Sequence, residues 1–198
     1  LATLYLEDLG DLIKETISPY FAFSRYAEKL ALSATSFDPL EEALQEEPSL
    51  VDLMLLELLE ERLQQVQPEV VGFSIPFPGN LYGGLRMAKY IKEKNPSIKT
   101  AMGGGYPNTE LRSLREPRLF KYIDFVTLDD GEGPWLKLLE HLQGQREAEQ
   151  LQRTFILADD EVKYINGSTD TDIPHAEVGT PDYSDLPLQN YLSVIDVI

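Results

Sequence analysis

Hydrophobic positions divide the chain into a helical first third, an alternating middle and a strand-rich end. Leu1, Leu4, Tyr5, Leu9, Leu12 and Ile13 recur at helical spacing. Residues 20–32, behind Pro19, predict a second helix. Asp38-Pro-Leu-Glu41 begins a third, with a capping residue type, a proline in the first turn and an acid near the positive end of the helix. Ser49, with Asp52 three residues on, opens the longest helix, which stops at Pro68. Its leucines are expected inward, and Glu57, Glu60 and Glu61 outward.

The period then changes. Val70-Val-Gly-Phe-Ser-Ile75 is a short apolar run rich in strand formers, halted by Pro76 and Pro78. A helix follows over residues 81–94, stopped by Asn95-Pro96. Residues 98–102 predict a second strand, ended by Gly103, Gly104 and Gly105. Residues 109–120 predict a short helix interrupted near Pro117, residues 122–128 a third strand, and residues 135–142 a helix closed by Gly144. Strands alternating with helices across short loops imply an α/β fold, with parallel strands and helices on both faces.

Beyond Gln145 the pattern becomes a β-hairpin, 154–158 and 161–165, turning at Asp159-Asp160. Residues 168–188, rich in Asp, Thr and Pro, read as an extended linker. The expected division is a helical segment over 1–67, an α/β core over 68–145, and a hairpin with a connector over 146–198.

Charge narrows the function. Thirty-four acidic side chains against 17 basic ones leave the 198-residue chain at −17, which argues against a nucleic-acid partner. No apolar run is long enough for a membrane span, and no secretory signal opens the chain. The absence of cysteine excludes disulfides and thiolate metal sites and fits a cytoplasmic location. No metal site and no catalytic set is expected within these residues.

In parallel α/β sheets, ligands bind at the carboxyl ends of the strands. The segments placed there are 74–80, 103–108 and 129–133. A glycine pair at such a point lets a flat group lie on the backbone, or else simply makes a tight turn. Ser74 can donate and accept hydrogen bonds. Phe77 suits either stacking or packing, and Glu132 suits either capping of the following helix or ligand contact.

These pieces occur in a specific order. Pro68-Glu-Val-Val-Gly-Phe-Ser74, Ala88-Lys-Tyr-Ile-Lys-Glu-Lys-Asn-Pro96, Ile98-Lys-Thr-Ala-Met-Gly-Gly104, Ile123-Asp-Phe-Val126 and Gly131-Glu-Gly133 lead into a leucine-rich helix. Together they resemble the cobalamin-binding domain at the front of many radical S-adenosylmethionine enzymes. Pro181-Asp-Tyr-Ser-Asp-Leu-Pro-Leu-Gln-Asn-Tyr191 is similar to the connector that leads, in that family, to the catalytic barrel with its Cys-x-x-x-Cys-x-x-Cys motif. The resemblance spans residues 68–142 and, less fully, 181–191. It does not extend to 1–67.

The resemblance implies a Rossmann-like or flavodoxin-like doubly wound sheet that holds cobalamin. Gly103 and Gly104 would line the slot for the nucleotide tail, with Gly105 and Tyr106 at its rim. Ser74 would hydrogen-bond the tail from the loop that continues through Ile75, Pro76 and Phe77. Gly131, Glu132 and Gly133 match the family's Gly-Glu-Gly-Glu signature, with Pro134 in place of the last acid. S-adenosylmethionine and a 4Fe-4S cluster would belong to the barrel of the parent enzyme, docked on this domain within the same protein; the resemblance allows that parent to be a methyltransferase.

The family's Asp-x-His-x-x-Gly motif is missing. His141-Leu-Gln-Gly144 lacks the acid and stands after the glycines, and His175 has no matching neighbours, so cobalt would receive no histidine from this chain. Nothing before Pro68 reads as a strand, and the expectation is that Leu1 begins after the first strand or two of the natural domain. The alternative function is a degenerate scaffold that docks a barrel or partner and binds no cobalamin.

Overall fold

The computed structural model describes residues 2–23, 27, 28, 30 and 36–187. Its helices are α1 (Ala2–Thr16), α2 (Asp38–Gln45), α3 (Leu50–Val66), α4 (Leu81–Lys94), α5 (Gly105–Glu110) and α6 (Glu132–Leu142). Its strands are β1 (Val70–Ser74), β2 (Lys99–Gly103), β3 (Phe125–Thr127), β4 (Thr154–Ala158) and β5 (Glu161–Ile165). Among the described residues no helix is long and apolar enough to cross a membrane.

The strands form one mixed sheet in chain order. β1, β2 and β3 are parallel, as the alternation of elements predicts, and β4 and β5 run antiparallel. The hairpin therefore does not stand apart from the core. Val126 of β3 pairs with Phe155 of β4, which continues the sheet. Both faces are covered, because alternate residues point to opposite sides. Phe73, Met102, Val126 and Phe155 pack on one side beneath α2, α4 and α5, with Leu44, Leu85, Ile91 and Tyr106 among the buried residues. Ala101, Phe125 and Ile156 face the other side, where Trp135 and Leu138 of α6 and Leu151 cover them.

Several local expectations shift. Residues 20–23 form a turn and bend rather than helix; most of the remaining stretch to 32 lies outside the described residues, although Glu28 and Leu30 are helical. The helix expected over 109–120 does not form. α5 instead starts directly after Gly104 and ends at Glu110, followed by a 3-10 turn at Pro117–Lys121. Its Pro107 lies in the first turn, where no backbone N–H is needed. α6 likewise begins at Glu132, three residues before Trp135, with Pro134 in its first turn. Residues 188–191 of the connector lie outside the described residues.

The predicted cap of α3 forms completely: the Asp52 N–H donates to the Ser49 hydroxyl, and the Ser49 N–H donates to the Asp52 carboxylate. Glu57 and Glu61 face outward as expected, whereas Glu60 is half-buried and accepts from the Tyr90 hydroxyl at 2.9 Å. The leucines are not all inward, however, since Leu50, Leu53, Met54 and Leu58 are exposed.

Charge is also buried. Arg86 of α4, 3 % exposed, donates to the carbonyls of Ala43, Leu44 and Glu46 at the end of α2 and to the Tyr82 hydroxyl. Tyr82 in turn donates to Asp52. This network joins α2, α3 and α4. On the other flank of α2, burial and the Glu41 carboxylate push the Tyr122 hydroxyl up to about 12.

Candidate functional site

β1, β2 and β3 end at one level, because Ser74 is in register with Gly103 and Met102 with Val126. Gly72, Ser74, Ala101, Gly103 and Thr127 share the sheet face on which α6 packs. Their carboxyl ends and the start of α6 enclose a groove of about 430 Å³, in the range of small-molecule sites. Its lining includes Gly72, Ser74, Gly103, Gly104, Thr127, Gly131, Glu132 and Trp135.

Five of the residues expected from sequence are thus brought together: Ser74, Gly103, Gly104, Gly131 and Glu132. Ser74 and Glu132 are exposed, and neither side chain has a hydrogen-bond partner among the described residues. Glu132 gains from the positive end of the α6 dipole. Trp135, the only tryptophan of the chain, forms a wall.

The three consecutive glycines do different work. A Cβ on Gly103 would lie 2.9 Å from Thr127 Oγ1, beside the groove. Gly104 has φ +101, a conformation closed to most residues, and a Cβ there would meet the Ile75 backbone at 2.9 Å. A Cβ on Gly105 would lie 2.6 Å from the Pro76 carbonyl oxygen. The second and third glycines therefore let the β2–α5 turn press against the loop after β1, where the Tyr106 N–H donates to the Ile75 carbonyl at 2.9 Å. Gly104→Ala is expected to destabilise the fold by ~3 kcal/mol or more through backbone strain and overlap. Urea unfolding measures the loss.

The other expected residues lie elsewhere. Ile75 is buried in the core on the opposite sheet face, and Pro76 backs Gly105. Phe77 is 68 % exposed and outside the groove. Tyr106 is buried beneath the other face, lining a separate cavity of about 570 Å³ with Leu81 and Glu110. Burial and then Glu110 raise its hydroxyl above the usual range. Gly133 is buried where a Cβ would lie 2.7 Å from Gln152 Oε1, so it serves the contact between α6 and the hairpin.

Sequence reasoning missed Gly72, Thr127 and Trp135. Gly72 had a legible signal: strand alternation puts it on the same face as Ser74. A Cβ there would come within 3.0 Å of Trp135 Cη2, so the glycine admits the indole across β1. His141 closes α6, its Nδ1 2.8 Å from the Arg146 carbonyl oxygen, and takes no part in the groove.

The loop beyond β3 is held firmly. The Asp129 N–H donates to the Asn108 side chain, and the Asp129 carboxylate pairs with Arg112 and lies 3.6 Å from Arg153. The groove floor is thus organised by backbone and small residues, and its rim by one hydroxyl and one carboxylate. That suits a flat ligand carrying hydroxyl or amide groups. Comparison with protein-family models, curated proteins and solved structures finds no match to this chain.

Proposed function

We propose that the groove holds the nucleotide portion of cobalamin, and that the chain is the cofactor-holding domain of a radical S-adenosylmethionine enzyme. The observation that carries this reading is the meeting of Ser74, Gly103, Gly104, Gly131 and Glu132 at one strand-end groove, although they come from three separate segments. Gly72 and Gly103 would supply the flat floor, the Trp135 indole a wall, and Ser74 and Glu132 the polar contacts. When bound, cobalamin supplies cobalt-centred methyl transfer; this chain's own residues bind and orient its tail. A second reading, a scaffold holding no cofactor, draws on Pro134 in place of the signature's last acid and on the missing histidine motif.

Hydroxocobalamin titration separates the two. Because Trp135 lines the groove, its emission is expected to be quenched saturably, and cobalamin is expected to co-elute with the folded chain on gel filtration. Unchanged emission together with no co-elution would sink the cofactor reading and leave the scaffold.

A further inference from the structure

We infer that residues 166–172 form a strap that is part of the site: through Arg153, a positioning residue, they hold the rim of the groove, so docking of the strap and binding in the groove are linked. The chain from residue 168 onward reads as an extended linker, yet its first part is tied to the fold along its length. The Asn166 side-chain oxygen accepts from the Arg153 N–H at 3.1 Å, and the Gly167 and Ser168 N–H groups donate to the Leu151 carbonyl. A Cβ on Gly167 would overlap the Glu149 carbonyl oxygen, so glycine lets the strap press this closely. Asp170 pairs with Lys137 of α6 at 2.8 Å and with Arg146 at 2.9 Å. Asp172 accepts from both arms of the Arg153 guanidinium, at 2.6 and 3.0 Å, and from the side chain of buried Gln152 at 3.0 Å. Beyond it, residues 174–187 are all exposed.

Arg153 is where strap and groove meet. Its largely buried guanidinium stands between Asp172 and Asp129, which lies 3.6 Å away in the loop that runs from β3 to Gly131 and Glu132 of the groove lining. The Leu128 N–H donates to the Arg153 carbonyl, so the backbone and the side chain of Arg153 grip the same loop. Arg153 and Asp129 both hold positive φ, +45 and +62, which residues other than glycine keep only where their surroundings impose it. Asp172 also lies against the start of α6: a Cβ on Gly133 would come within 3.5 Å of its Oδ1.

The strap is also the part of this region that releases first. Its carboxylates stand half in water, 44 % exposed at Asp170 and 53 % at Asp172, where ion pairs are weak, whereas the core beneath rests on buried apolar packing. Hydrogen bonds from Arg153 hold the Asp172 carboxyl below the usual range, and those from Lys137 and Arg146 do the same for Asp170, so both stay charged at neutral pH. Linkage then makes the effect reciprocal. If a docked strap tightens the groove, a ligand in the groove tightens the strap by the same factor.

Hydrogen exchange of the full chain tests the strap without any ligand. Asp172→Asn is expected to speed exchange about fivefold at Gly167 and Ser168 and at Leu128, Asp129 and Trp135, whose N–H groups are bonded to Arg153, Asn108 and Gly131, while the urea midpoint moves little. Asp172→Glu, which keeps the carboxylate, is expected to restore protection. With hydroxocobalamin as the probe, Asp172→Asn is expected to weaken binding about fivefold by Trp135 quenching, and the ligand to slow exchange at Gly167 and Ser168 of the wild-type chain by the same factor. This second arm rests on the cofactor reading: no binding to the wild type sinks that reading and leaves the strap to the exchange data. Unchanged exchange at Leu128, Asp129 and Trp135 in Asp172→Asn overturns the inference. So does acceleration shared equally with the amides of α4, which would mark a general loss of stability, and so does hydroxocobalamin binding as tight in Asp172→Asn as in the wild type.

Discussion

Arg86→Ala is expected to lower the midpoint of urea unfolding sharply, with a loss of about 3–5 kcal/mol, the cost of breaking a buried charged network by removing one member. Such a loss is a large share of the 5–15 kcal/mol that typically stabilises a domain. The guanidinium serves the carbonyls at the end of α2, which have no intrahelical donor of their own. The alanine strips those donors and also leaves a cavity between three helices. Arg86→Lys is expected to recover only part of the stability, because an ammonium cannot span the Ala43, Leu44 and Glu46 carbonyls and the Tyr82 hydroxyl as the planar fork does. Midpoints within experimental error of the wild type in both variants would show that the network is not a keystone of the fold.

Gly131→Leu should separate binding from folding. Gly131 has φ −70, open to any residue, and a Cβ placed on it meets nothing within 4 Å. The substitution is therefore expected to change stability by no more than about 0.5 kcal/mol. Its side chain projects from the groove lining, so hydroxocobalamin affinity is expected to fall about a hundredfold, or ~2.7 kcal/mol. Trp135 quenching and co-elution read the affinity; urea unfolding reads the stability. Lys163→Gln, at the far edge of the sheet, is expected to leave both unchanged. Full affinity in Gly131→Leu would place any cobalamin contact outside this groove.

Much of the site was legible because parallel α/β sheets collect their strand ends, so locating three strands also located Ser74, the glycines after Met102 and the start of α6. Not every residue of each strand-end loop lines the groove. At the end of β1, Ser74 reaches the groove, while Ile75 turns to the opposite core. Gly104 and Gly105 illustrate a second limit. Glycine marks a place where a side chain is not tolerated, but a ligand and a neighbouring backbone exclude Cβ equally well. Here the Ile75 and Pro76 backbones account for both positions.

By itself the sequence determined what depends on neighbours in the chain: the Ser49 and Asp52 cap, the stops at Pro68 and Pro96, the three parallel strands and the hairpin turn. These follow from backbone chemistry and side-chain period, which act over a few residues. Tertiary structure alone decided which surfaces meet. It carried Trp135 across Gly72, some sixty residues earlier, joined β4 to β3, and buried Arg86 against the carbonyls of α2. The physical reason is that period tells which residues share a face, while the identity of what covers that face is settled by long-range packing.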